Sequence, residues 1–273
     1  MPPEQRRRHL LSPASYDALR RLARARTLFA FDFDGTLAPI VGSPDEARIA
    51  DGIRDRLVRL ARKVPVAVIS GRRLQDLRSR LPLEVIHCIG NHGNEGVAGA
   101  GVAALRRTCR EWITQLRPQL LEDRVDSGIV LEDKGLTLSL HYRHARGRVA
   151  AARWLATRVR ELDPAPRVIK GKLVLNLLPP GARTKFEALA DLARDEAAEG
   201  VLFVGDDQTD ELVFAQAPSD WVTVRIGRGA TRAAYFLRHQ SDVAVLLDRL
   251  LALLAAPESA RATSKPSTSA RDA

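Results

Sequence analysis

The residues of this sequence best suited to chemistry are carboxylates that follow two apolar runs. Asp32 and Asp34 stand two apart in TLFAFDFDGTL, and alternate side chains of an extended chain point to the same side. Asp206, Asp207 and Asp210 follow the second run, in GVLFVGDDQTDE. Acids this close repel one another unless they share a cation or a proton. Carboxylates gathered from two strand ends would form the all-oxygen site that suits Mg²⁺.

Two further polar residues could serve a phosphate. Ser70 ends the apolar run VPVAVIS, just before the helical stretch RRLQDLRSRL, where a hydroxyl and the free N–H groups of a helix start favour a phosphate. Lys185 opens the helical stretch KFEALADLARDEA and could pair with carboxylates and phosphate. Simpler interpretations stay open: Ser70 could be an ordinary helix cap, Lys185 a solvated side chain, and residues 209–211 only caps for the next helix.

Together these groups predict phosphoryl transfer with an aspartate nucleophile. Mg²⁺ would offset the repulsion between the attacking carboxylate and the phosphate. Asp32 would attack phosphorus in line. Asp34 would protonate the leaving alcohol and then activate the water that cleaves the acyl phosphate.

Short apolar runs alternate with helical stretches along most of the chain. The predicted strands are 27–37, 64–70, 84–90, 200–207 and 221–227, the last of which is expected to be the final strand. The predicted helices are 51–63, 72–81, 185–197 and 209–217. Continuous apolar strands that alternate with helices indicate an α/β fold, a parallel sheet covered on both faces. Ligands bind such a sheet at the C-terminal ends of its strands, where the carboxylates lie.

The middle of the chain has a different pattern. A helix, two strands, a second helix and two more strands predict a small α+β domain inserted into the parallel one. The expected organisation is a basic N-terminal helix at 1–26, a catalytic core made of 27–106 and 178–256, an inserted cap at 107–177 and a disordered tail at 257–273.

Composition excludes several classes of protein. The chain has 273 residues, enough for a core and an inserted domain, and its 45% hydrophobic content is too high for a disordered protein. Its two cysteines, Cys88 and Cys109, make no disulfide framework and fit a reducing compartment. The N-terminus lacks the apolar stretch of a secretory signal, and the most hydrophobic stretch, 243–256, is too short to span a bilayer. We therefore expect a cytoplasmic protein with no membrane partner.

The net charge of +10 raises the question of nucleic acid. Residues 1–26 hold seven arginines and two acids, so half of the excess lies there. A nucleic-acid-binding protein that uses this segment is one alternative, but aromatic residues are only 5% and no recognition motif is present, which makes a nucleic-acid partner unlikely. A binding module without catalysis is another alternative, disfavoured because every expected acid is present.

The motifs resemble those of the haloacid-dehalogenase (HAD) superfamily of phosphohydrolases. A closer resemblance, over about residues 27–245, is to the trehalose-6-phosphate phosphatases. It is carried by FDFDGTLAPI, VISGRR, IGNHGNE, LEDKGLTLSLHYR, GKLVLNLLP and GDDQTDE. The resemblance implies a HAD-like Rossmannoid parallel-sheet core with an inserted α+β cap of the C2B type. It also implies Mg²⁺-dependent hydrolysis of trehalose 6-phosphate to trehalose and phosphate, through an aspartyl-phosphate.

The resemblance also implies roles for single residues. Asp32, the backbone carbonyl of Asp34 and Asp206 would bind Mg²⁺, with Asp207 close by. The Asp34 side chain resembles the acid/base residue of the superfamily. Ser70 and Lys185, the other two members of the expected catalytic set, would bind the phosphate.

The LEDKGLTLSLHYR block looks like the sugar-binding element of the family's cap, with Glu132 and Lys134 as sugar ligands. Their side chains are two apart on a strand and share one face, and a carboxylate with an ammonium suits a poly-hydroxyl ligand. His141 and Arg143 also share a face, although both could simply be solvated. The remaining candidates for substrate binding are Gly71, Arg72, Asn91, His92, Gly93 and Asn176.

Two positions depart from the family pattern. Asn176 stands where the family usually has Glu, and Phe186 follows Lys185 where it usually has Gly, which would add bulk near the phosphate. These departures keep open a capped phosphatase for another sugar phosphate, such as a sucrose, mannosyl-glycerate or glucosyl-glycerate phosphate. The expected partner is in each case a small sugar phosphate, and the sequence leaves the oligomeric state open.

Overall fold

The structure is a computed structural model that describes residues 8–23, 26–42, 44–81, 86–97, 101–122 and 128–256, with only the backbone described for Pro44 and Glu122. The tail predicted to be disordered, 257–273, lies outside the described residues, as do residues 1–7 of the predicted N-terminal helix. Within the described ranges, no helix is both long and apolar enough to cross a membrane.

Eleven strands and eight α-helices form the main elements of the described residues. The strands are β1 (Arg8–His9), β2 (Thr27–Phe31), β3 (Val66–Ile69), β4 (His87–Ile89), β5 (Val130–Asp133), β6 (Leu138–His141), β7 (Arg167–Gly171), β8 (Val174–Leu178), β9 (Gly200–Gly205), β10 (Val222–Ile226) and β11 (Tyr235–Leu237). The helices are α1 (Tyr16–Leu22), α2 (Asp51–Ala61), α3 (Leu74–Arg80), α4 (Val102–Glu122), α5 (Arg148–Arg160), α6 (Lys185–Asp195), α7 (Glu211–Gln216) and α8 (Asp242–Ala255).

The larger sheet is parallel and has seven strands in the order β1-β11-β10-β9-β2-β3-β4. On one face, Phe29 and Phe31 of β2 pack with residues of α1, α2, α3 and α8. On the other face, Leu28 and Ala30 pack with residues of α6 and α7. Because its central strands are buried on both sides, their sequences are continuously apolar. The predicted α/β class, with a parallel core and an inserted α+β layer, is confirmed.

Strand β2 lies between β9 and β3 in the larger sheet. The N–H of Asp32, just beyond β2, donates to the carbonyl of Val204 in β9 at 2.8 Å. The chain leaves β3 at Ser70 and leaves β9 at Asp206. Three adjacent strands therefore deliver the three predicted motifs to one edge of the sheet.

The N-terminal segment differs from the prediction. Arg8–His9 is not helical but forms the edge strand of the large sheet, parallel to β11, and the described helix is limited to Tyr16–Leu22. Leu10 and Leu19 are fully buried, so this segment is part of the core. A strand of two residues shows no period of its own, which is why the sequence did not reveal it.

The strand predicted over 221–227 is not the last one. Tyr235–Leu237 adds a further parallel strand beyond β10, with Val224 opposite Tyr235 and Ile226 opposite Leu237. Three residues are too few to show a sequence pattern, so this strand is defined by its neighbours in the sheet.

The inserted domain has the predicted order of a helix, two strands, a helix and two strands. Its four strands form an antiparallel sheet in the order β5-β6-β8-β7. Trp112 of α4 and Leu155 of α5 pack on one face, against Leu140 and Leu177. Helix α4 begins at Val102, before the predicted boundary at 107.

The opposite face of the cap sheet is polar. Glu132, Ser139 and Asn176 lie opposite one another on three adjacent strands, so their side chains form one row. The cap also joins the core through a small apolar cluster, in which Leu136 and Ile169 of the cap lie with Leu212 of the core. Because helices α4 and α5 cover the apolar face of the cap sheet, its polar face is the one that is turned towards the core.

Replacing Trp112 with Ala tests the packing of the cap. Trp112 is fully buried and its indole Nε1 donates to the carbonyl of Pro164 at 2.7 Å. We expect Trp112→Ala to lower the free energy of unfolding by about 3–5 kcal/mol, measured by urea denaturation. Val149→Ala, a control at a 68% exposed position of α5, should change it by less than about 0.5 kcal/mol. Similar effects of the two changes would contradict the described cap core.

Candidate active site

Three carboxylates meet at the C-terminal edge of the parallel sheet. Asp32 follows β2, while Asp206 and Asp210 lie in the loop between β9 and α7. One carboxylate oxygen from each lies within 4.8 Å of the others. The Oδ1 atom of Asp206 is buried and accepts no hydrogen bond from the described residues. An all-oxygen set with an unsatisfied buried oxygen fits a hard divalent cation such as Mg²⁺.

The electrostatics of the cluster also favour a cation. Burial raises the pKa of Asp32 well above its usual value, and nearby Asp210 and Asp206 add to the rise against the opposing effect of Lys185. Burial, Asp210 and Asp207 together raise the pKa of Asp206 to about 7. Crowded, buried carboxylates disfavour their ionised forms, and a bound cation would reverse this preference.

Gly35 lets the loop after β2 approach Asp206. Its φ of 81° lies in the left-handed region, and a Cβ atom on it would stand 2.1 Å from Asp206 Oδ2. A side chain at position 35 would therefore push away one of the carboxylates of the cluster.

Lys185 holds the cluster together. It is the first residue of α6, whose start is fixed by a capping box between Thr184 and Glu187. Its Nζ atom donates to Asp32 Oδ1 at 2.6 Å and to Asp210 Oδ1 at 2.8 Å, and only 3% of its side chain is exposed. Both carboxylates raise its pKa although burial opposes the rise. The reading of Lys185 as a solvated lysine is therefore wrong.

The sequence did not separate Asp210 from residues that cap the next helix. In the structure its side chain makes no cap hydrogen bond to α7. Its Oδ2 atom instead accepts from the N–H groups of Asp206 and Asp207, both at 3.0 Å. Asp210 thus orders the loop that carries the other two acids and places Lys185. The only signal for it in the sequence was its position inside GDDQTDE.

Asp34 and Arg72 form a bidentate ion pair. Arg72 Nε donates to Asp34 Oδ2 and Arg72 Nη2 to Asp34 Oδ1, each at 2.7 Å. The Asp34 side chain is 44% exposed, whereas that of Arg72 is 9% exposed. Arg72 was expected to bind substrate. Its described contacts make it a partner of the candidate acid/base residue.

Ser70 and Gly71 both contact His92: the His92 N–H donates to the carbonyl of Ser70 at 3.0 Å, and Gly71 lies against the imidazole ring. The Ser70 side chain is buried, and its Oγ accepts from the N–H of Arg72 at 3.2 Å. A Cβ atom on Gly71 would be 2.5 Å from His92 Cε1. Burial lowers the pKa of His92 well below its usual value, and Lys134 lowers it further. Asn176 opposes this decrease in pKa through its side-chain contact with the ring, although neither ring nitrogen makes a hydrogen bond of good geometry within the described residues.

Asn91 connects the core to the cap. Its backbone is left-handed, with φ of 52°, and its N–H donates to the carbonyl of Arg72 at 2.6 Å. Its Nδ2 donates to the carbonyl of Lys134 at 2.6 Å, and its Oδ1 accepts from Thr137 Oγ1. Gly93, with φ of 111°, is packed so closely that a Cβ atom would be 2.6 Å from the carbonyl oxygen of Thr184.

Three predicted sugar ligands meet on the polar face of the cap. Glu132 Oε2 lies 2.8 Å from His141 Nε2 and 3.7 Å from Lys134 Nζ. Burial alone would raise the pKa of Glu132, but His141 and Lys134 lower it overall. Arg143 lies beyond the end of β6, in the turn that follows it, and no side-chain contact joins it to these three within the described residues.

Asn176 belongs to the same face. It is 4% exposed and its Oδ1 accepts from Ser139 Oγ at 2.7 Å. On the neighbouring strand, a Cβ atom on Gly171 would lie 3.2 Å from Asp207 Oδ2. The cap face thus reaches the acidic loop of the core.

We expected Phe186 to add bulk near the phosphate, but its side chain lies elsewhere. Its ring packs against Trp221, with 5.9 Å between ring centroids, and belongs to an apolar cluster of the core.

A parallel sheet with a carboxylate and lysine cluster at its C-terminal edge, under an inserted α+β cap, defines a capped α/β protein of the haloacid-dehalogenase type. Comparison with known families is more specific. The model of the family described as trehalose-phosphatase matches residues 30–241, and the chain belongs to this family.

Curated relatives agree with this assignment. The trehalose-phosphate phosphatase of Mycobacterium tuberculosis is 34% identical over an aligned length of 265, and the match covers 86% of this chain and 65% of the relative. That of Mycobacterium ulcerans is 33% identical over an aligned length of 259, and the match covers 87% of this chain and 66% of the relative. The chain thus spans about two thirds of the length of these relatives.

Solved structures show the same fold at lower identity. A trehalose-6-phosphate phosphatase related protein superimposes with a TM-score of 0.67 at 23% identity, covering 83% of this chain and 97% of that one. The C-terminal domain of the trehalose-6-phosphate phosphatase of C. albicans gives a TM-score of 0.67 at 20% identity, with 90% and 98% covered.

Replacing Gly35 with Ala tests the approach of Asp206 to the loop after β2. Gly181 offers a matched control, since its φ is 82° but no atom lies within 4 Å of a Cβ placed there. Both changes should cost about 1 kcal/mol of stability through the left-handed backbone. Gly35→Ala should in addition weaken the binding of a divalent cation at least about tenfold, measured by calorimetry with Mg²⁺ as the probe. Equal Mg²⁺ affinity of the two variants would contradict the described contact.

Proposed function

We propose that this chain is a Mg²⁺-dependent phosphatase that hydrolyses trehalose 6-phosphate to trehalose and phosphate, through an aspartyl-phosphate on Asp32. The observation that carries the proposal is the buried contact of Lys185 with Asp32 and Asp210, beneath a cap face that presents Glu132. Membership of the trehalose-phosphatase family and the name of the mycobacterial relatives support the substrate.

Asp32, Asp206 and the backbone carbonyl of Asp34 would hold the Mg²⁺ ion, with Asp207 nearby. When bound, the ion offsets the repulsion between the nucleophile and the phosphate and polarises a phosphoryl oxygen. We leave Asp210 out of this set because its two oxygens already accept hydrogen bonds from an ammonium group and from two backbone N–H groups.

The protein residues carry the two chemical steps. Asp32 attacks phosphorus in line, and the sugar oxygen departs with a proton from Asp34. Ser70 and Lys185 bind the phosphoryl oxygens at the sheet edge. Asp34 then takes a proton from a water molecule, whose oxygen attacks the phosphorus of the aspartyl-phosphate. Phosphate leaves and the Asp32 carboxylate is restored.

The cap would recognise the sugar. Glu132 can accept hydrogen bonds from hydroxyl groups and Lys134 can donate them. His141, which contacts Glu132, fixes its orientation. His92 of the core and Asn176 of the cap lie close together across the junction between the two domains, where their polar atoms suit a hydroxyl group of the substrate.

We assign smaller roles to the other candidates. Gly71 and Gly93 give the room that the chain needs around His92 and the start of α6. Asn91 fixes the cap loop, and Arg143 would reach the sugar from the turn after β6. A cytoplasmic location remains our proposal, supported by two cysteines that are buried and free.

One observation favours a second candidate substrate. Asn176 lies in the row of polar side chains that faces the core, at a position where the family usually has Glu. Its Oδ1 accepts a hydrogen bond from Ser139 Oγ. A different sugar, such as that of sucrose, mannosyl-glycerate or glucosyl-glycerate phosphates, would be matched by this uncharged group. A nucleic-acid partner has less support, because the N-terminal segment packs Leu10 and Leu19 into the core.

A panel of sugar phosphates tests the substrate. With Mg²⁺ present, we expect the highest kcat/KM for trehalose 6-phosphate, measured as phosphate release. The panel includes sucrose 6-phosphate, the two glycerate phosphates and glucose 6-phosphate, which lacks the second sugar ring. If trehalose 6-phosphate ranks among the poorest substrates, the proposed specificity is lost.

Replacing Asp32 with Asn tests the nucleophile. We expect kcat to fall about 10³-fold or more, because an amide cannot form the acyl phosphate. Circular dichroism should show an unchanged fold. Asp220→Asn, at an exposed aspartate before β10, serves as the control and should retain full activity. Substantial turnover by Asp32→Asn would rule out Asp32 as the attacking group.

A further inference from the structure

Helix α3 carries a row of charged side chains that continues from the pair of Asp34 and Arg72. Arg72, Asp76 and Arg80 are spaced by four residues, so Asp76 and Arg80 lie on one face of the helix. The Nη1 atom of Arg72 donates to Asp76 Oδ2 at 2.8 Å, while Nε and Nη2 of the same guanidinium donate to Asp34. One arginine thus joins the candidate acid/base residue to the helix.

Asp76 is held from its other side by Arg80. Both Nε and Nη2 of Arg80 donate to Asp76 Oδ1, at 2.9 and 2.7 Å. Arg80 Nη1 in turn donates to the backbone carbonyls of Ala47 at 2.8 Å and Asp45 at 3.1 Å, and the side chain is only 7% exposed. Burial alone would raise the pKa of Asp76, but the hydrogen bonds from Arg80 and Arg72 lower it overall. Asp76 is therefore a carboxylate fixed in place by a buried arginine.

Because Asp76 is fixed, its hydrogen bond with Arg72 sets the orientation of the Arg72 guanidinium group. A guanidinium group is planar and rigid, so a fixed partner on Nη1 sets the plane in which Nε and Nη2 are presented. The ring of Phe33, 5.3 Å from Arg72 Cζ, supports the same plane. The place of the Asp34 carboxylate then follows from Arg72.

We propose that Asp76 is a positioning residue that acts through Arg72 to place Asp34 at the leaving oxygen of the substrate. This inference rests on the proposed function, in which Asp34 gives its proton to the leaving sugar. Without Asp76, the guanidinium loses the partner that defines its plane, and Asp34 moves with it.

The expected consequence depends on the leaving group. A sugar alkoxide leaves with difficulty unless it is protonated, whereas 4-nitrophenolate leaves without a proton. The value of kcat/KM reports the steps up to departure of the leaving group, before the aspartyl-phosphate is hydrolysed. A displaced Asp34 should therefore lower kcat/KM for a sugar phosphate and spare 4-nitrophenyl phosphate.

The test compares Asp76→Asn with the conservative variant Asp76→Glu on both substrates. Asp76→Asn should lower kcat/KM for the sugar phosphate about 10- to 100-fold, part of the usual contribution of acid catalysis, and lower that for 4-nitrophenyl phosphate by less than about threefold. Asp76→Glu, which keeps the charge, should recover most of the loss. Asp45→Asn removes the same charge from a side chain that is 95% exposed near Arg80 and should leave both values unchanged.

Equal losses on both substrates, or no loss on the sugar phosphate, would overturn the positioning role. The wild-type protein keeps this result separate from the proposed function. If another sugar phosphate is preferred over trehalose 6-phosphate, the substrate proposal fails and the same comparison is made with the preferred ester. If the wild type hydrolyses no phosphate ester, both proposals fail together.

Discussion

The structure depends on a buried ammonium group between two buried carboxylates. Lys185 Nζ lies 2.6 Å from Asp32 and 2.8 Å from Asp210, and all three side chains are at most 7% exposed. Removing one partner from such a group costs about 3–5 kcal/mol, because the remaining charge is left unpaired away from water. The three residues arrive from the end of β2, the start of α6 and the loop after β9. Their contact therefore requires β9 to lie next to β2 in the sheet and α6 to begin at Lys185.

The cap completes this arrangement without contributing to the charge cluster. Its two helices cover the apolar face of its sheet, which leaves the row of Glu132, Ser139 and Asn176 facing the core. Asn91 bonds to the cap loop, and its own backbone is tied to Arg72. The core loop that contacts the polar side of the cap is thus attached to the arginine that pairs with Asp34. The proposed reaction needs this connection, because the phosphate and the sugar belong to one substrate.

The sequence predicted the features that have a local signature. Continuous apolar strands with acids at their ends placed Asp32 and Asp206 at one edge of the sheet, and the change of pattern in the middle of the chain located the cap. It did not predict Arg8–His9 or Tyr235–Leu237 as strands, because short edge strands are defined by their partners. It also missed the use of Asp210 and the pairing of Arg72 with Asp34, since both depend on residues distant in the chain.

Trapping the phosphorylated protein tests the central claim most directly. The protein is mixed with Mg²⁺ and trehalose 6-phosphate, quenched in acid during turnover, and digested for mass spectrometry. The account predicts a phosphoryl group on Asp32, and an adduct lost upon treatment with hydroxylamine, which cleaves acyl phosphates. A phosphoryl group on another residue, or turnover of trehalose 6-phosphate with no adduct at any quench time, would contradict it.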